Sequence, residues 1–463
     1  RLFLVFVALI CLLSELVVHG LQTKNRITKM PNWNGTVPFG FYSGYITVGS
    51  PAANLFYFFA ESQSNPATDP VVIWLNGGPG CSSTAGFIYE HGPWKFPGNL
   101  NGEGTDMNFY SNPFSWNKVA NVIYLDSPSG VGFSYPIPSK SNDDITAHNS
   151  YEFLVKFLFQ VFPQFKDNPF YVAGESYGGH YVPQLSYQIL LGNRAGVNPK
   201  INMTGMLVGN GVTTAYSLWE YSLEYLLGHA MISYIEYDNA KVLCKGNFYN
   251  STDKKCNEEV ERILNGIGDV NGLDIYLPCA HGKRAMQCTS ANQAYQYFND
   301  PSVRNQLFIS PESYAWQWCS DVNYNENDIF TDVGLLYPKL WAEGYNILVY
   351  SGDSTTNVNS VGTQKWVYSL NRPVIDAYRP WTYTAVNNGG TQVGGYYVKF
   401  ETSSHTTLEF CTVLGAGHMT PQFRPEASFE FFDRFINHKR GWIMSLISQD
   451  RQILRFHHII QKK

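Results

Sequence analysis

Charge is sparse in this chain: 15% of its 463 residues are Asp, Glu, Lys or Arg. The 32 basic residues are scattered among 37 acidic ones, for a formal net charge of −5. Without a basic stripe, the footprint of a nucleic-acid binder is missing and that class is excluded. Beyond the N-terminal segment no run reaches about 18 apolar residues free of charge, so no membrane span is expected there. There is no internal repeat and no low-complexity tract, which argues against solenoids and disordered linkers. No four converging Cys or His ligands occur at zinc spacing either, so no metal and no cofactor is expected.

What is present is apolar and aromatic, 44% and 16% of the residues respectively, enough for a large core and a second lobe. Arg1 followed by the apolar run Leu2 to Leu13, with small residues near Val18-His19-Gly20, reads as a signal peptide over 1–20. Glu15 and the shortness of the run argue against a retained span. The mature chain then starts near Leu21 and travels the secretory route, to a lysosome or the extracellular space. Asn34, Asn202 and Asn250 each open an acceptor triplet for N-linked sugar. Cys11 leaves with the signal, and seven cysteines remain. Short spacing favours Cys244 with Cys256 and Cys279 with Cys288, and the odd count leaves at least one thiol unpaired.

Aromatic and β-branched runs at 41–47 and 55–60 read as two antiparallel strands. Val71 to Leu75 and Val122 to Leu125 are denser, as expected of central strands buried on both faces. Tyr171 to Ala173, Met206 to Val208 and Ile347 to Tyr350 continue the type, with a helical pattern at Tyr151 to Phe162 between them. Strands resume at 381–386, 395–400 and 408–414, and a helix over 426–437 closes the chain. The alternation predicts an α/β fold with a mostly parallel sheet and helices on both faces. Between 212 and 335 the rhythm stops, and helical runs at 222–236 and 257–264 suggest an insertion covering the active face.

Gly174-Glu175-Ser176-Tyr177-Gly178 follows the strand Phe170 to Ala173 and precedes a helical stretch. A strand, a tight turn and a helix lift the Ser176 hydroxyl out of the sheet, the geometry of an acyl-transferring nucleophile. His418 follows the last strand, within Gly415-Ala416-Gly417-His418, where a general base of such enzymes sits.

Five blocks carry a specific resemblance. Trp74-Leu75-Asn76-Gly77-Gly78-Pro79-Gly80-Cys81-Ser82-Ser83, Glu90-His91-Gly92-Pro93, the segment from Asp126 to Ser134, Gly174 to Pro183, and Gly415 to Met419 resemble, in order, the signature blocks of the serine carboxypeptidases (S10). The likeness spans about 25 to 440. It implies an α/β-hydrolase fold, with core segments 21–211 and 336–463 and a cap at 212–335. For active members it implies removal of C-terminal residues from peptides at acidic pH. It assigns Ser176 as nucleophile, His418 as base, the Gly78 and Tyr177 amides as oxyanion hole, and Asn76, Glu90 and Glu175 as the holder of the substrate carboxylate. Two glutamates can hold a carboxylate when a proton is shared, because like charges in a low-dielectric cleft push one pKa up. The resemblance also pairs Cys81 with Cys319 and leaves Cys411 as a buried thiol.

One position departs from the pattern. The family's catalytic acid follows a strand-ending glycine by three residues, and in Gly352-Asp353-Ser354-Thr355 that place is held by Thr355. Threonine can accept a hydrogen bond from an imidazole but cannot stabilise an imidazolium, and loss of that charge costs about 10⁴ in turnover in a serine-protease triad. Asp353 is the substitute acid to consider. The expected function is therefore a serine carboxypeptidase impaired at Thr355. One alternative is a catalytically inactive relative that binds peptide C-termini or a protein partner, and another is an acyltransferase or esterase acting on small molecules. Peptide or protein C-termini are the expected substrates or ligands, and a homodimer stays open.

Overall fold

A computed structural model of the chain describes residues 22–96, 107–249, 251–277, 291–387, 389–402 and 406–439. The signal segment, Asn250 and the Cys279–Cys288 pair lie outside the described residues.

Eleven strands form one sheet: β1 Asn25–Arg26, β2 Phe41–Val48, β3 Ala53–Ala60, β4 Val71–Leu75, β7 Asn121–Leu125, β8 Phe170–Glu175, β9 Met203–Gly209, β10 Asn346–Gly352, β11 Val374–Thr384, β12 Thr391–Glu401 and β13 Thr407–Val413. The short β5 Trp94–Lys95 and β6 Tyr110–Ser111 pair separately. The order is β1-β2-β3-β7-β4-β8-β9-β10-β13-β12-β11. Strands β7, β4, β8, β9, β10 and β13 pair in parallel, and antiparallel strands flank them on both sides. This is the expected α/β-hydrolase sheet.

Alternation along a strand sends neighbours to opposite faces. In β4, Val72 and Trp74 pack into one core with Phe431, Phe432 and Phe435 of helix Pro425–Ile436. Val71, Ile73 and Leu75 pack into the other, with Leu185 and Ile189 of helix Gly178–Ala195. Both cores are rich in aromatics, which explains the near-continuous apolar run of the central strands.

The registers place the site. Leu75 pairs with Gly174, so the residues that follow, Asn76 and Glu175, emerge side by side. Gly352 pairs with Val413, so the loops carrying Thr355 and His418 leave the same edge. Parallel strands thus deliver four loops to one rim, the usual place for chemistry in such sheets.

Between β9 and β10 the described chain is helical, without strands of the main sheet. The helix expected over 222–236 is two helices, Ser222–Gly228 and Tyr234–Leu243. Ser233 breaks the run because its hydroxyl caps the second helix and Glu236 reaches back to the Ser233 amide. Leu223, Tyr225, Leu226, Ile232, Ala240 and Ile263 form a small core of their own. Cys81 is bridged to Cys319 and Cys244 to Cys256, while Cys411 is a buried free thiol.

Candidate active site

Ser176 stands at the turn between β8 and helix Gly178–Ala195 with φ 60°, a left-handed conformation that costs a non-glycine residue about 1–3 kcal/mol. The turn is held on both sides: its amide donates to Gly209 O at 3.0 Å, and its carbonyl accepts from Gly179 N and Val212 N at 2.9 Å each. A Cβ on Gly77 would fall 2.3 Å from the Tyr177 amide nitrogen and 2.6 Å from Ser176 Cβ, so only glycine lets the β4 loop close over the nucleophile. The Gly78 and Tyr177 amides donate to no acceptor among the described residues. An N–H beside the serine, such as that of Tyr177, can stabilise a developing oxyanion, and the resemblance assigns Gly78 as the second donor.

The three residues expected to hold the substrate carboxylate are assembled around one amide. Asn76 Oδ1 accepts from Trp74 Nε1 at 2.7 Å and from Gly86 N at 3.1 Å, and because both are donors only, Nδ2 must face the acids. It donates to Glu90 Oε1 and Glu175 Oε1, each at 3.0 Å. Burial pushes the Glu90 carboxyl up to about 7, against the pull of the Asn76 amide, the Glu175 carboxyl and the Lys95 ammonium. Glu175 is raised further, first by burial and then by the charge of Glu90. The pair therefore retains a shareable proton into the neutral range.

Lys95 was not legible as a site residue. It lies buried on β5, and its Nζ donates to Pro421 O at 3.4 Å. Burial lowers its pKa to about 8, and the nearby Glu90 opposes that shift. The signal available was a lysine between Trp94 and Phe96, an apolar setting just after the Glu90 block.

A second buried cluster backs the oxyanion loop. Asp143 accepts from His180 Nδ1 at 2.9 Å, Tyr177 Oη at 3.1 Å, Gln184 Nε2 at 2.8 Å and Tyr324 Oη at 2.6 Å. It ties the residue after the nucleophile to the segment carrying Cys319.

The family model for serine carboxypeptidases matches residues 31–438. Serine carboxypeptidase-like 20 of Arabidopsis thaliana is 35% identical over 93% of this chain and 96% of its own length. Serine carboxypeptidase 1 of Hordeum vulgare is 34% identical over 89% of this chain and 92% of its own. The chain belongs to the serine carboxypeptidase family. Among solved structures, the prohormone-processing carboxypeptidase Kex1 of Saccharomyces cerevisiae shares the fold, with a TM-score of 0.72 at 20% identity over 86% of this chain and 92% of that one.

Against the serine carboxypeptidase pattern, the histidine expected as the base is the anomaly. His418 is buried, and burial alone lowers its pKa to about 4. Its Nδ1 has no hydrogen-bond partner among the described residues. Thr355 does not serve it: the Thr355 hydroxyl donates to Gly272 O at 2.7 Å and accepts from Asn357 N at 3.2 Å. Asp353, the substitute acid considered from sequence, does not serve it either. Its carboxylate accepts from the Gly415 amide at 2.6 Å, because the chain turns at Gly415 to present that N–H to it.

Asn34 and Asn202 are exposed, and the Asn202 amide donates to Asp167 O at 3.0 Å. No described helix is long and apolar enough to cross a membrane.

Proposed function

We propose that this chain hydrolyses C-terminal residues from peptides at acidic pH through an acyl-enzyme on Ser176, with turnover impaired by threonine at 355. Ser176 Oγ attacks the scissile carbonyl while His418 Nε2 takes its proton. The Gly78 and Tyr177 amides hold the oxyanion, and His418 returns the proton to the departing nitrogen. Water then attacks the acyl-enzyme by the reverse route. The peptide's free carboxylate docks on Asn76, Glu90 and Glu175, accepting the shared proton.

The observation that carries this reading is the Asn76–Glu90–Glu175 cluster one residue from the nucleophile. The test compares a blocked dipeptide with its C-terminal amide at pH 5 and pH 8. The acid should be cleaved at pH 5 with kcat/KM at least roughly tenfold above the amide, the scale of one charge-assisted hydrogen bond. Equal rates for the two would refute the assignment.

A second reading has its own support in the unpartnered His418 Nδ1: a protein that binds peptide C-termini without turning them over. It predicts calorimetric binding of the acid at pH 5 with no product. The bridges and the exposed Asn34 and Asn202 support passage through an oxidising secretory compartment for either reading. Residues 212–335 we take as the cap.

A further inference from the structure

The base lacks a carboxylate at the family position, yet a carboxylate is packed against its loop from the other side. We propose that Asp274, contributed by the segment between β9 and β10, is the positioning acid for His418. This rests on the reading of Ser176 and His418 as nucleophile and base.

Residues 272–275 run as a short bonded strip between the two loops that would have formed the ordinary pair. Gly272 O accepts from Thr355 Oγ1 at 2.7 Å and Thr356 N at 3.1 Å. Leu273 O accepts from the His418 amide at 2.6 Å, and Ile275 N donates to Ser354 O at 2.8 Å. Asp274 is the residue between those two contacts. The packing is close, since a Cβ on Gly417 would fall 2.8 Å from Asp274 Cβ. The threonine is thus not an empty place: its hydroxyl anchors the strip that brings in a different acid.

Asp274 is 8% exposed, and its Oδ1 accepts from Tyr276 N at 3.1 Å. A carboxylate has about four acceptor positions, so capacity remains. On the adjoining loop His418 Nδ1 is a buried nitrogen without a partner among the described residues. Rotation of the Asp274 side chain toward that nitrogen pairs the two as the imidazolium forms. The proton taken from Ser176 stays on His418 Nε2 and passes to the leaving nitrogen, and Asp274 acquires none.

Asp353 is the competitor, and it is committed to Gly415 N at 2.6 Å. The charges around both acids are Arg424, which faces each of them, and His229, which faces Asp353; Tyr225 Oη donates to Asp353 O. Burial raises the Asp274 carboxyl and lowers His418, so neither is charged at no cost until the imidazolium appears.

The experiment uses the full chain and two variants that keep an acceptor oxygen while removing charge, Asp274→Asn and Asp353→Asn. Readouts are the rate of Ser176 labelling by a fluorophosphonate, kcat and KM separately, and the acidic limb of the pH–kcat/KM profile. Asp274→Asn should slow labelling and kcat at least roughly tenfold, against about 10⁴ for the full charge in a serine-protease triad. KM and thermal unfolding should hold, and the acidic limb should move to lower pH as His418 loses its anion. Asp353→Asn should leave that limb in place. If Asp274→Asn changes neither labelling nor the limb, or if Asp353→Asn alone changes them, the proposal is overturned while the carboxypeptidase reading stands. A wild type that neither labels nor turns over overturns both. Should Asp274→Asn unfold, proton NMR of the wild type at acidic pH decides: a far-downfield His418 Nδ1–H marks a carboxylate partner, and its absence rejects one.

Discussion

The two ends of the cleft are built to different standards. At the carboxylate end, each polar atom of Asn76 is used: Oδ1 holds Trp74 and Gly86, and Nδ2 holds both glutamates. At the His418 end, Nδ1 has no partner among the described residues and the Thr355 hydroxyl is turned to a backbone carbonyl. On the proposed reading, the Asn76 amide of the carboxylate site is fixed in advance, whereas the charge that drives proton transfer is not. Glu90 Oε2, buried without a partner among the described residues, is the position left at that end for a ligand. Selectivity for free C-termini can then persist while rate is lost, since the two depend on different loops.

The largest effect expected from closing that gap is Thr355→Asp. A carboxylate at 355 should raise kcat on a blocked dipeptide by up to about 10⁴. It would meet Gly272 O, which now receives the Thr355 hydroxyl at 2.7 Å, so the gain requires the 272–275 strip to yield. Stopped-flow acylation measures the effect, with Ser176→Ala in the same background as the silent control. If Thr355→Asp folds and gains nothing, the difference between the ends does not lie in the missing charge.

Breaking the well-built end is the next test. Asn76→Ala strips partners from Trp74 Nε1 and Gly86 N, and an orphaned buried donor costs about 1–3 kcal/mol. Thermal unfolding should show a loss of that order. Discrimination between a peptide acid and its amide should fall with it. An unchanged acid-to-amide ratio would mean that Asn76 does not orient the clamp.

Smaller again is a shift in the alkaline limb. Glu90 is held up at about 7 by burial, so the proton that receives the substrate carboxylate is lost as pH rises through that region. Lys95 favours the ionised form of Glu90. Replacing it in Lys95→Met should therefore move the limb of the pH–kcat/KM profile upward, and Lys95→Arg should not. A downward move would show that the ammonium supports the substrate carboxylate directly instead of tuning the acids.

Much of this was readable in the chain because it is written locally. Asn76, Glu90, Glu175 and Ser176 sit in short blocks next to strand ends, and the dense apolar runs of β4, β7 and β8 announced a buried parallel sheet. Boundaries were less legible: the last helix begins at Pro425, close to the expected 426, but β11 begins at Val374, well before 381, because its early residues are largely exposed and lack an apolar pattern. The environment of His418 was not legible at all. It depends on residues 272–275, brought in from a helical segment whose sequence has no strand rhythm, and no spacing rule connects Gly272 to Thr355. Asp143 escaped for the same reason, since its four side-chain donors come from two stretches of chain far from it in sequence, 177–184 and Tyr324.

The pairing of Leu75 with Gly174 has a consequence for how this cleft can vary. Asn76 and Glu175 are separated by the inter-strand spacing of a hydrogen-bonded ladder, about 4.8 Å, and not by the length of any loop. The clamp's gauge is therefore a lattice constant of the sheet. Loops other than the segment 76–90, which carries Glu90, can lengthen, shorten or change composition without altering the Asn76–Glu175 spacing. A one-residue slip of β4 would turn Asn76 to the opposite face and abolish the grip in a single step.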